Sequence, residues 1–170
     1  MSFSSIMSLV WPATLQTLAM VFASTVFSLV LGLPLGILLC VTDPVTGITP
    51  RPVLHQVLPR IVNALRSFPF MILMILLFPL SRFIIGTSIG TAATIVPLSI
   101  AAAPFVARII ETALKEVDPG VVQAARAMGS TNMQVVMKVL LPEALPSLVS
   151  GVTLTIINLI GYSAMSGAIG

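Results

Sequence analysis

The chain has 170 residues, of which 57% are hydrophobic and 8% charged, and its mean hydropathy is +1.13. Ordinary soluble domains carry about 25% charged residues, so this composition excludes that class and predicts a membrane protein. The formal net charge is +3, but the basic residues form no cluster, which excludes a nucleic-acid-binding surface.

Four apolar stretches are long enough to cross a bilayer core of about 30 Å. These predicted spans are Thr14–Val41, about Ile61–Leu80, Phe83–Ala107 and Ala144–Gly170. No charged residue precedes Asp43, so the first stretch lacks the basic flank of a cleavable signal and is predicted to remain as a mature span.

Most of the charges lie between the third and fourth spans, in the segment Arg108–Glu143. The loop before the second span contains Arg51 and Arg60, whereas the loop after it contains only Arg82. Because loops rich in Lys and Arg stay on the cytoplasmic side, the first and third loops are predicted to be cytoplasmic and both chain ends extracytoplasmic.

The charged segment contains the signals of two short helices joined by a sharp turn. Asp118 followed by Pro119 predicts a helix start, and Gly129 predicts its end. Thr131 can cap a second amphipathic helix, which Pro142 is expected to close. Periodicity leaves three roles open for this element: lying on the membrane surface, packing under the protein's own spans, or docking to a partner.

A spaced motif in this segment favours docking. Gln123-Ala124-Ala125 is followed by three residues, Gly129, nine residues and Val139-Leu140-Leu141-Pro142. The pattern resembles the signature loop of permease subunits of ATP-binding-cassette importers: Glu-Ala-Ala, three residues, Gly, nine residues, Ile, any residue, Leu-Pro. Gln123 replaces the usual Glu and Val139 the usual Ile.

Further segments, in order along nearly the whole chain, look like the permease of bacterial methionine importers. They are Arg66-Ser67-Phe68-Pro69-Phe70, Gly86-Thr87-Ser88-Ile89-Gly90, Ala103-Pro104-Phe105-Val106-Ala107-Arg108, Ala125-Arg126-Ala127-Met128-Gly129, Val139-Leu140-Leu141-Pro142-Glu143-Ala144-Leu145-Pro146 and Gly161-Tyr162-Ser163-Ala164-Met165.

This resemblance implies an all-α integral membrane protein, a single permease domain over residues 1–170 in the type I importer fold, with a cytoplasmic coupling segment at 108–143. It implies a homodimer in the bacterial inner membrane, a partner ATPase subunit that binds ATP and Mg²⁺, and an extracytoplasmic methionine-binding protein. The chain itself is expected to be no enzyme and to hold no cofactor. The family has five spans, so the last one is expected to be absent here.

Two groups of residues are predicted to carry the function implied by the resemblance. The first shapes the coupling loop to the ATPase and consists of Gln123, Ala124, Ala125, Gly129, Met133, Val136, Met137, Leu140, Leu141 and Pro142. The second lines the translocation pathway and consists of Tyr162, Ser163, Met165 and Ser166. Met165 is predicted to form a constriction, because an unbranched thioether side chain can move aside at little cost.

One alternative is an ion-coupled secondary transporter or a channel. Such a carrier normally keeps an ionisable group within the membrane, and the four predicted spans contain no Asp, Glu or His. The chain also has no phosphate-binding GxxxxGK[ST] motif, so ATP hydrolysis is expected on a partner.

A remote alternative is an intramembrane serine hydrolase, because Gly86-Thr87-Ser88-Ile89-Gly90 fits the GxSxG pattern. That chemistry needs a base near Ser88, and the only histidine, His55, is predicted to be a solvated residue of the first cytoplasmic loop on the opposite side. A lone histidine and the single Cys40 also predict no metal site.

Overall fold

The computed structural model describes residues 3–87 and 89–166, and every regular element in these two ranges is helical. In chain order, the helices are α1 (Phe3–Val41), α2 (Pro52–Ser67), α3 (Phe70–Ile85), α4 (Thr91–Lys115), α5 (Pro119–Ala127), α6 (Asn132–Val135), a π-helical turn (Val136–Leu140), α7 (Leu141–Glu143) and α8 (Leu145–Ser166).

The most extensive helix–helix interface of the bundle lies between α1 and α4. Two glycines of α1, Gly32 and Gly36, allow the close approach of the two helices. A Cβ atom at Gly32 would lie 2.6 Å from Cγ1 of Val106, and one at Gly36 would lie 2.7 Å from the carbonyl oxygen of Ala107. Both separations are too short for a real Cβ, so the GxxxG spacing of α1 serves the close packing that such motifs allow between membrane helices.

The second predicted span, Ile61–Leu80, is not a single helix. It is divided between α2 and α3, whose axes form an angle of 105°. Phe68 is extended, with ψ of 136°, because the ring of Pro69 disfavours helical geometry in the residue before it. Neither α2 nor α3 is long enough to cross a membrane by itself, but the two together, as a bent pair, are long enough for one crossing.

The third predicted span is displaced along the chain. Gly86 takes the left-handed conformation that ends α3, and α4 begins at Thr91 after Gly90, which also has positive φ. At its other end α4 continues past Ala107 to Lys115, so Arg108 and its charged neighbours belong to a helix and not to a loop.

Three helices, α1, α4 and α8, are each long and apolar enough to cross a membrane, and the bent pair α2–α3 makes a fourth crossing possible. The first span is longer than predicted, since α1 starts at Phe3, and the last four residues of the fourth predicted span lie outside the described residues. We call the end of the bundle that holds Asp43, Lys115 and Glu116 the charged end, and the end near Thr91 the opposite end.

Replacing Gly36 by alanine is expected to destabilise the fold, because the new methyl group would press against the backbone of α4. Overpacking of this kind costs about 1–3 kcal/mol. The matched control is Gly161→Ala in α8, where a Cβ meets no atom within 4 Å. Thermal unfolding in detergent should show a lower midpoint for Gly36→Ala and no loss for Gly161→Ala, and equal midpoints would contradict the packing role of Gly36.

Candidate functional site

The segment between α4 and α8 has the local structure that its sequence predicts. The carboxylate of Asp118 accepts a hydrogen bond from the backbone N–H of Gly120 at 2.7 Å and so caps α5. Gly129 has φ of +82° and ends that helix, and Thr131 caps the next helix in a reciprocal arrangement with Gln134. We call residues 119–143 the coupling segment from here on.

Pro142 does not close the second helix as predicted. The chain passes from α6 into a π-helical turn and then directly into α7, which contains Pro142. The helical segment ends instead at Ala144, just before α8 begins.

One side of the coupling segment packs onto the bundle. Ala125, Val136 and Leu140 are buried in a cluster that also contains Ile110 and Leu114 of α4. Three of the predicted coupling residues therefore serve the protein's own core, where their burial fixes the segment on the charged end. Leu141 is partly buried at the edge of the same cluster.

The other side of the coupling segment is exposed and rich in methionine. Met128, Met133 and Met137 are 81%, 70% and 56% exposed. Gln123, Ala124, Gly129 and Pro142, also in the predicted set, are exposed as well. Flexible, polarisable methionine side chains are over-represented on protein-binding surfaces. The segment thus has one face packed on its own spans and one face free to contact a partner.

A hydrogen bond joins the coupling segment to the loop between α1 and α2. The guanidinium of Arg126 donates to the backbone carbonyl of Ile48 at 2.6 Å. Ile48 is buried in the same cluster as Ala125 and Leu140. A movement of α5 would therefore act on this loop through a charged hydrogen bond as well as through apolar packing.

The same loop is tied to α4 by an ion pair at the charged end. The ammonium of Lys115 lies 2.7 Å from Oδ2 of Asp43 and 2.9 Å from Oε1 of Glu111. Burial alone would raise the pKa of Asp43, but Lys115 and the backbone N–H groups of Val45 and Thr46 donate to its carboxylate and hold the pKa well below its usual range.

Glu111 is the most buried charge of this network, with only 2% of its surface exposed. Its carboxylate pairs with Lys115 and with Arg108, whose guanidinium also donates to Oδ1 of Asn63 on α2 at 3.0 Å. The expectation that the spans hold no acidic residue is thus wrong for α4. The sequence analysis missed the network, although Arg108, Glu111 and Lys115 have the i, i+3 and i, i+4 spacings of helical ion pairs.

His55 is not a solvated loop residue. It lies on α2, is partly buried, and its Nε2 is 3.9 Å from Oδ2 of Asp43. Ser88, the nucleophile of the hydrolase alternative, lies outside the described residues. Within residues 3–87 and 89–166, no group of three or more His, Cys, Asp or Glu could hold a metal ion.

The predicted pathway residues lie at the far end of α8, away from the charged end. The ring of Tyr162 stacks on Phe70 of α3, with centroids 3.9 Å apart. Ser163 and Ser166 are buried and donate to backbone carbonyls of their own helix. They line a groove of about 320 Å³ together with Thr17 and Thr91. Met165 is about half exposed, and neither it nor Tyr162 lines this groove.

The structure is a bundle of long apolar helices with a glycine-bent amphipathic segment at one end. The sequence contains no nucleotide-binding motif. Together these features are the architecture of a transporter's permease subunit. Residues 32–170 match the family described as the inner membrane component of binding-protein-dependent transport systems. The chain belongs to this family.

The similar proteins include curated permeases. The chain is 54% identical, over 89% of its length and 70% of the relative, to the D-methionine transport system permease protein MetI of Escherichia coli strain K12. It is 49% identical, over 97% of its length and 76% of the relative, to the probable D-methionine transport system permease protein MetI of Pasteurella multocida.

Solved structures agree in fold. A chain of the MetNI methionine ABC transporter in an inward-facing conformation has a TM-score of 0.96 and 52% identity, covering 100% of this chain and 78% of that one. An amino acid ABC transporter crystallised with histidines has a TM-score of 0.74 at 22% identity and shares the fold alone.

Protonation of Asp43 is expected to weaken the charged end. Because its pKa is lowered in the folded protein, the stability it contributes is complete above about pH 4, its ordinary pKa, and is lost as the pH falls toward the lower folded value. Asp43→Asn should unfold at a lower temperature than the wild type at pH 7, and this difference should shrink below about pH 4.

The control for this comparison is Glu143→Gln, because Glu143 is exposed and has no ion-pair partner in the described part of the chain. It should leave the unfolding midpoint at pH 7 unchanged. A difference between wild type and Asp43→Asn that stays constant over the whole pH range would show that the carboxylate charge of Asp43 is not the stabilising group.

Proposed function

We propose that this chain is the membrane-spanning permease subunit of an ATP-driven methionine importer in the bacterial inner membrane. Two copies form the pathway, a separate ATPase subunit binds ATP and Mg²⁺, and an extracytoplasmic binding protein delivers methionine. The chain hydrolyses nothing and holds no cofactor. The charged end faces the cytoplasm, and transport proceeds by alternating access.

The observation that carries this proposal is the coupling segment, which has one buried and one exposed face. It lies at the end of a helix bundle whose sequence is 54% identical to that of a D-methionine permease. Three exposed methionines on one short segment form an apolar surface of the kind that marks a contact site. The residues that resemble the importer signature loop lie on this segment, on both sides of its glycine turn. A docking role for its exposed face therefore explains both the motif and the exposure.

The contacts of the segment suggest how ATPase closure would reach the spans. The exposed methionine face would sit on the ATPase, and the buried face would transmit its displacement to α4 through Ala125 and Leu140. Arg126 would carry the same displacement to the α1–α2 loop through the carbonyl of Ile48. Because Asp43 in that loop is paired with Lys115, α1 and α4 would move as one unit.

The pathway would narrow at the opposite end of the bundle, around the last turns of α8. Tyr162 and Met165 would form the apolar part of the constriction, and the hydroxyl oxygens of Ser163 and Ser166 would offer acceptors to the ammonium group of the cargo. An uncharged lining suits a zwitterion with an apolar side chain better than an ion of net charge, which would lose much of its hydration.

The first test uses the full complex. Affinity purification of the tagged chain in mild detergent should recover an ATP-hydrolysing subunit, and proteoliposomes of the complex should accumulate methionine only with ATP and the binding protein. Uptake driven by an ion gradient without any ATPase would support the secondary transporter instead. Labelling of Ser88 by a serine-directed probe would support the hydrolase.

The variant arm of this test is Gly129→Val. A left-handed backbone costs an L-residue about 1–2 kcal/mol and is worst for a branched side chain, so the turn should open and ATPase association should fall roughly tenfold. Gly129→Asn is the matched control, because asparagine tolerates this conformation and a Cβ here meets no atom within 4 Å. Equal transport and ATPase recovery for both variants would refute the role of the turn.

The constriction can be tested with Met165→Ala. Removing the thioether side chain should open the pathway, so methionine should leak through proteoliposomes in the absence of ATP while the complex assembles normally. Ile160→Ala is the control, since Ile160 is a similarly exposed apolar residue on another side of α8. Loss of assembly in Met165→Ala, without leak, would assign Met165 to helix packing.

A further inference from the structure

A second cavity lies near the charged end, away from Met165. We call it the inner cleft; it has a volume of about 430 Å³ and opens between the end of α2, the last turns of α4 and the start of α8. Its polar wall is formed by Arg66, Arg108, Thr112, Glu116, Ser147 and Ser150. Small-molecule sites usually measure about 300–1,000 Å³, so the inner cleft can hold one amino acid.

Two guanidinium groups share this wall. Arg108 is oriented by Asn63 and Glu111, as described above, and it still lines the inner cleft. The side chain of Arg66 has no ion pair or hydrogen bond within the described part of the chain. Arg66 therefore has its hydrogen-bonding capacity free on the wall that Arg108 also lines, and a carboxylate bound there would gain charge-assisted hydrogen bonds.

The same wall offers groups for an ammonium ion. Glu116 accepts one hydrogen bond, from the hydroxyl of Ser147 at 2.7 Å, which leaves further lone pairs of its carboxylate available. Thr112 and Ser150 make no side-chain hydrogen bond to the described residues, whereas most hydroxyls in the long helices donate to their own backbone. These two hydroxyls are therefore available to a ligand.

The inner cleft also has an apolar wall and lies beside the break in the second span. Phe105, Ile109 and Leu154 provide apolar surface opposite the polar groups. α2 ends at Ser67, directly after Arg66, and the 105° bend leaves the last carbonyls of α2 without intrahelical partners. Broken helices with free backbone groups are a recurrent way of building substrate sites inside transporters.

We infer that the inner cleft is a binding site for the zwitterionic amino acid cargo on its way to the cytoplasm, an inference that rests on the proposed importer function. Arg66 and Arg108 bind the carboxylate, and Glu116 with Thr112 or Ser150 binds the ammonium group. The side chain of the cargo packs against Phe105, Ile109 and Leu154. Because the apolar wall offers contact but no hydrogen-bonding group, the site recognises the amino acid head more strictly than the side chain.

The test measures equilibrium binding of radiolabelled L-methionine to the purified permease–ATPase complex, without binding protein, in nanodiscs of phosphatidylcholine so that no primary-amine lipid competes. Binding to the isolated ATPase subunit is subtracted. The wild type should show saturable binding. Arg66→Ala should raise Kd at least about tenfold and Arg66→Lys less, because lysine keeps the charge but not the bidentate geometry.

Arg60→Ala is the matched control, since Arg60 is an exposed arginine of α2 outside the inner cleft and should leave Kd unchanged. Norleucine should compete with methionine, and methionine methyl ester, which lacks the carboxylate, should not. The inference is overturned if a complex that transports methionine shows no saturable binding, if Arg66→Ala keeps the wild-type Kd, or if the ester competes as well as methionine. Failure of the importer proposal itself would be seen earlier, as the absence of an ATPase in the purified complex.

Discussion

The arrangement of the charged end depends on the burial of Glu111. A carboxylate taken out of water is costly unless its charge is neutralised and its oxygens accept hydrogen bonds. Arg108 and Lys115 meet this need from the same helix, and they in turn bind Asn63 on α2 and Asp43 after α1. One buried charge thereby fixes three segments of the chain relative to one another, at the end of the bundle where the coupling segment packs.

This constraint gives the coupling segment a rigid base. Its buried face rests on Ile110 and Leu114, in the same turns of α4 that hold the ion network. A force on the exposed methionines would meet a block of helices joined by ion pairs and not a set of independent spans. Rigid-body movement of such a block is a common form of domain rearrangement in transporters and switches.

The two proposed cargo sites differ in chemistry, and their positions suit a directional pathway. The groove beside Ser163 and Ser166 is lined by neutral hydroxyl groups, whereas the inner cleft carries Arg66 and Glu116. A zwitterion passing from the serine groove to the inner cleft would leave hydrogen bonds with neutral hydroxyl groups and form ion pairs with charged side chains. The inner cleft lies beside the break between α2 and α3, since Arg66 is the next-to-last residue of α2.

The sequence by itself determined the membrane class, the apolar spans in outline, and the helix–glycine–helix shape of the coupling segment. These features depend on composition or on neighbours within a few residues, such as the cap by Asp118 and the turn at Gly129. The break at Phe68-Pro69 is equally local, but proline is common in membrane helices, so the sequence alone does not distinguish a break here from a tolerated proline.

Only the tertiary structure decided which side of the coupling segment is free and which charges are buried. Asn63 is 45 residues from Arg108, Asp43 is 72 residues from Lys115, and Ile48 is 78 residues from Arg126. Periodicity places either Val136 or Met137 with Leu140 on one apolar stripe, because it records hydrophobicity and not which neighbours a side chain has. The packing of α4 against this stripe separates Val136 and Leu140, which are buried, from Met137, which is exposed.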